Sequence, residues 1–130
     1  MNENAPAPLP DLRTLFFARQ KSRVVPFVLA EKDNLEVFAK RFSGTERTEL
    51  LKLVPTVDEG DPDAKQKQLD GQLALIIEGV CDGNGKPLFT AADKELVAGE
   101  FADVLDFMAT QVMAANGMGV KAAAAIEKNS

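Results

Sequence analysis

The chain has 130 residues, 45% hydrophobic and 27% charged, and its 15 Lys+Arg against 20 Asp+Glu leave a formal net charge of -5. A chain of this length builds one domain around its own core without a disulfide or metal staple, and a pI of about 4.8 argues against nucleic-acid binding and against a polybasic membrane anchor. There is no histidine and a single cysteine, Cys81, which removes the usual general base, the commonest zinc ligand and any cysteine–histidine nucleophile pair. Nor is there an apolar run of about 18 residues or a charged-then-apolar leader, so the expected location is the cytoplasm.

Residues 1–10 (MNENAPAPLP) hold three of the seven prolines and few core formers, as expected of a disordered N-terminal tail, which leaves residues 11–130 as the single folded domain. From Asp11 the spacing Leu12, Leu15, Phe16 predicts a short helix ending near Ser22, with Asp11 capping its first turn. Arg23 to Leu29 (RVVPFVL) is β-branched and aromatic, and Pro26, which cannot donate to a ladder, confines such a strand to an edge or a bulge. Leu35 to Phe42 (LEVFAKRF) fits both helical and strand spacing, although the polar AEKDN before it would serve as a hairpin loop.

Ser43-Gly44-Thr45-Glu46 is a capping box that opens a helix, with Leu50, Leu51 and Val54 as its apolar stripe and Pro55 as its stop. Residues 55–63 (PTVDEGDPD) are too polar to do more than connect. Leu69, Leu73, Ile76, Ile77 and Val80 then predict a central core helix beginning near Asp63. Asp82 to Pro87 breaks it, and Thr90-x-x-Asp93 opens a further helical stretch that Gly99 kinks or divides. The stretch continues through Val97, Phe101, Val104, Leu105, Met108 and Val112 and stops at Asn116-Gly117. Residues 120–130 are alanine-rich and fold only if they dock. The predicted fold is therefore mainly α, a small helical domain with an N-terminal β-hairpin or edge strands, α+β at the margin.

Candidate sites thin out quickly. Asp82-Gly83-Asn84-Gly85-Lys86 starts like a calcium loop, but Lys86 stands where an oxygen is needed and Pro87 where the glycine belongs, so a glycine-bearing turn is the better reading. Cys81 closes an apolar helix with no base beside it and reads as a small buried hydrophobe. Asp58, Glu59, Asp61 and Asp63 read as solvated linker acids, and no catalytic residue, metal site or cofactor is expected. What remains is surface: Phe16, Phe17, Val24, Val25 and Phe27 supply more apolar area than the local elements cover, and they either meet another chain or cover the C-terminal helices of their own. Residues 1–57 carry nine basic and seven acidic groups for +2, and residues 58–130 carry six and thirteen for -7. That asymmetry suits head-to-tail self-association as well as a plain solvated acidic face.

The order and spacing of Ser43-Gly44-Thr45-Glu46-Arg47 before Leu50 and Leu51, then Cys81-Asp82-Gly83-Asn84-Gly85-Lys86-Pro87-Leu88-Phe89-Thr90, resemble the tail assembly chaperones of long-tailed (siphophage, lambda-like) bacteriophages, over about Val24 to Ser130. The resemblance implies a strand at Leu35 to Phe42 and a non-enzymatic protein of the bacterial host cytoplasm, absent from the mature virion. Its partners would be the tape measure protein, kept soluble while the tail tube polymerises around it, and the tail tube protein, recruited by a longer product of a programmed frameshift near Lys128-Asn129. Pro26 departs from the pattern and leaves strand exchange between subunits as an alternative to a folded-back first strand. Phe16, Val24, Val25 and Phe27 are the residues expected to serve self-association or client binding. The competing reading is a small helical adaptor or regulatory protein with one protein partner.

Overall fold

A computed structural model describes residues 11–18 and 23–118. The expectations for residues 1–10, for 19–22 at the end of the first helix and for the alanine-rich tail with Lys128-Asn129 fall outside the described residues. The described chain is mainly helical with a three-stranded antiparallel sheet on one side. The first helix, α1 (Leu12–Ala18), starts as its sequence directs: the Asp11 carboxylate accepts from the Arg13 amide at 3.2 Å and from the Thr14 hydroxyl at 2.9 Å.

Strands β1 (Val24–Leu29) and β2 (Leu35–Lys40) form the hairpin, in register from Val24 opposite Lys40 to Leu29 opposite Leu35. The AEKDN loop is a turn of 3₁₀ helix followed by Asp33 and Asn34 at φ 56° and 62°, a left-handed conformation that Asp and Asn tolerate better than most residues. Sheet order β1-β2-β3 puts the Pro26 strand at an edge. Because Arg41 donates to the Arg23 carbonyl at 2.7 Å, the paired ladder bonds fall on the odd positions of β1, so the Pro26 nitrogen faces the free edge and the hairpin loses no bond there.

Helix α2 (Gly44–Leu53) carries the expected box: Ser43 Oγ accepts from the Glu46 amide at 3.1 Å, and the Ser43 amide donates to Glu46 Oε1 at 3.0 Å. Helix α3 (Ala64–Gly79) follows the connecting segment and buries Leu73, Ile76 and Ile77. Val80, expected on this helix, is instead its C-cap and the first residue of β3 (Val80–Cys81), which pairs antiparallel with β2 through Phe38 opposite Cys81 and Ala39 opposite Val80. Two residues have no local reason to leave a helix. The Asp82–Lys86 turn closes back on them, with the Leu88 amide donating to the Val80 carbonyl at 3.1 Å, and β2 supplies the other edge.

The last helical stretch is divided, as Gly99 foretold. A 3₁₀ turn at Ala91–Asp93 leads into α4 (Lys94–Ala98), and α5 (Ala102–Ala115) follows the break. Helix α5 ends in a Schellman motif: Gly117 sits at φ 70°, its amide donates to the Ala114 carbonyl at 3.2 Å, and the Met118 amide donates to that of Met113 at 2.7 Å. One contiguous core joins Phe27, Leu29, Val37 and Ala39 of the hairpin to Leu73 and Ile76 of α3, Val97 of α4, and Val104, Leu105, Met108 and Val112 of α5.

Candidate docking surfaces

The four residues singled out near the N-terminus occupy different places. Phe27 is buried, in edge-to-face contact with Phe107 of α5 at 6.0 Å between centroids, so it covers the C-terminal helices of its own chain. Val25 shares that face of β1 but lies at the sheet margin, 39% exposed, and Val24 on the opposite face is half-buried. Phe16 lies on α1, which buries none of its residues, and it stacks edge-to-face on Phe17 at 5.1 Å. The structure does not gather these side chains into one patch.

A different apolar surface does converge. Where the hairpin tip meets α4 and α5, a cleft of about 400 Å³ opens over Leu29, Val97, Val104 and Met108, with Leu35, Leu88, Phe89 and Leu96 around it. A second, of about 270 Å³, shares Leu29 and Val104 and adds Val28 and Phe107. Leu35, Leu88 and Leu96 come from three separate parts of the chain and are 52%, 43% and 76% exposed. Of the adjacent pair Leu96-Val97 in α4, Val97 is buried in the core and Leu96 is turned out to solvent. The polar groups of the larger cleft are occupied with near neighbours. Lys32 pairs with Glu100 at 2.8 Å, and Asp93 accepts from the Thr90 amide at 2.9 Å. Such a lining suits an apolar protein segment better than a charged small molecule.

The remaining candidates serve the fold. Asp82 Oδ1 accepts from the amides of Asn84 at 2.9 Å and Lys86 at 3.0 Å, so it orders its own turn. Asp61 pairs with Lys67 and accepts from the Asp63 amide at 2.8 Å; the Lys67 hydrogen bond, then the amide, hold its carboxyl below the usual range. Cys81 is buried with its thiol directed at the Phe38 carbonyl, 3.5 Å away, and burial followed by the neighbouring Asp82 charge pushes that thiol up. Among the described residues no three His, Cys, Asp or Glu side chains converge as a metal site, and no helix is long and apolar enough to cross a membrane.

No model of a known protein family and no curated protein matches the sequence. Comparison of the fold with solved structures does find a match. The structure of the bacteriophage HK97 tail assembly chaperone superposes with a TM-score of 0.56 at 19% identity, covering 78% of this chain and 95% of that one. The fold is thus shared with that of a solved tail assembly chaperone, in agreement with the expectation raised by the capping box and the glycine turn.

Proposed function

We propose that this protein is a non-enzymatic tail assembly chaperone of a long-tailed bacteriophage. It acts in the host cytoplasm, holds the tape measure protein in solution, promotes polymerisation of the tail tube around it, and is absent from the finished virion. The observation that carries this reading is the fold shared with the HK97 chaperone over most of both chains. The apolar clefts and the exposed Phe16 and Val25 support it, because a client that is long and apolar is held by apolar contacts repeated along many copies. A frameshifted longer product would extend the same domain and recruit the tail tube protein.

Co-expression with the tape measure gene of the same phage tests the proposal. The client stays in the soluble fraction with the chaperone and pellets without it, and Val25→Asp, folded by circular dichroism, returns it toward the pellet. A client that pellets equally with and without the chaperone overturns the reading. A discrete complex with one unrelated protein would instead favour the adaptor class.

A further inference from the structure

The two clefts adjoin at Leu29 and Val104, which line both, so about 400 and about 270 Å³ of apolar space run together where the hairpin tip meets α4 and α5. We propose that this trough takes one kind of client segment, a short amphipathic helix with Lys or Arg beside its apolar face, and that Lys32 holds the place of that cation on Glu100. The proposal deepens the chaperone reading, on which it rests for the source of the helix.

An extended segment would have to complete its backbone hydrogen bonds at an open sheet edge. Neither edge of this sheet suits it. Pro26 has no N–H to offer in the middle of the free edge of β1, and at β3 the Leu88 amide already donates to the Val80 carbonyl at 3.1 Å. The trough itself presents side chains, with Val97, Val104 and Met108 buried and Leu35, Leu96 and Phe107 exposed around them. A helix satisfies its own backbone and needs from a groove only a seat for apolar residues three or four apart.

Charge selects the flank. The charged residues lining the trough are the acids Glu31, Asp93, Glu100 and Asp103 and the base Lys32. Lys32, at the hairpin tip, pairs with Glu100, in the break between α4 and α5, at 2.8 Å. Both side chains stay partly exposed, so the pair is weak and open to exchange. Among the described residues no cation pairs with Glu31 or Asp103. A basic flank therefore meets acids on this rim and takes over Glu100 as Lys32 turns out to water.

The test measures fluorescence anisotropy of a labelled synthetic peptide of about 18 residues, Leu at helical spacing and Lys elsewhere, against the full chain. A second peptide carries Glu in place of Lys. No client is present, so docking can fail while the solubility assay succeeds, and the reverse. The Leu/Lys peptide binds and the Leu/Glu peptide does not. Leu96→Ser, folded by circular dichroism, weakens binding by about tenfold, as loss of an apolar anchor does, whereas Leu51→Ser, at an equally exposed site outside the trough, leaves it unchanged. Glu100→Gln weakens binding by about threefold, the scale of one exposed ion pair, and Lys32→Gln tightens it by a similar factor. Equal affinities for Leu96→Ser and Leu51→Ser would reduce the attraction to unspecific charge and overturn the proposal. So would a Lys32→Gln protein that binds no better than wild type, since the ion pair would then only brace the fold. Binding that appears only after Phe16→Asp also overturns it, because α1 would already fill the trough.

Discussion

Gly79, the last residue of α3, packs directly against Val112 of α5. A Cβ built there would lie 2.5 Å from Val112 Cγ1 and 2.8 Å from Cγ2, and Val112 is fully buried, with nowhere to retreat. Gly79→Ala should lower the unfolding free energy in urea by about 1–3 kcal/mol, the usual cost of overpacking a core. Val112→Ala in the same chain should recover part of that loss, so the double mutant falls short of the sum of the singles. One turn beyond Val112, at the C-cap of α5, Asn116 does with one side chain what a ladder would otherwise do. Its Oδ1 accepts from the Phe42 amide at 2.7 Å, while Nδ2 donates to the Lys40 and Val112 carbonyls at 2.9 and 2.8 Å. That is why β2 ends at Lys40, two residues short of the strand expected through Phe42.

At the scale of elements, the start of α2 holds more than its capping box. Glu46 also pairs with Lys40 at 2.7 Å and with Arg23 at 2.5 Å, so one carboxylate joins the helix to the end of β2 and to the residue that precedes β1. The Lys40 hydrogen bond first, and then the Ser43 amide, lower its pKa from 4.5 to about 2. A carboxyl that ionises more readily when folded stabilises the fold above its unfolded pKa and ceases to do so as pH falls toward the folded one. Stability should therefore drop between about pH 4.5 and pH 2. Since the group is one-third exposed and screened by solvent, its share is about 1 kcal/mol. Glu46→Gln should flatten that part of a pH series of urea midpoints, and a slope unchanged by the substitution would place the titrating group elsewhere. Strand β3 shows the opposite case, an element with no signal of its own, created by the edge of β2 and by the turn that Asp82 orders.

For the molecule as a whole, the core is one cluster, so its parts should open together. Cys81 reports on this directly, since its thiol lies buried between β2 and the Asp82–Lys86 turn. Labelling by a thiol reagent should be slow in native buffer and should follow the same urea midpoint as helical circular dichroism. Reaction well before the midpoint would show that β3 and its turn open separately from the helices. What the sequence by itself determined are the features encoded within a turn or two of chain: the capping box at Ser43, the stop at Pro55, the stripe of α3, the break at Gly99 and the stop at Gly117. Caps and apolar periodicity act between residues three or four apart, so neighbours in sequence suffice to specify them. Only the tertiary structure decided that Val80 leaves its helix, that Phe27 turns inward onto Phe107, and that Leu35, Leu88 and Leu96 meet around one cleft. Those outcomes depend on contacts between segments far apart in sequence, and an apolar side chain seeks burial without specifying which distant neighbour will provide it.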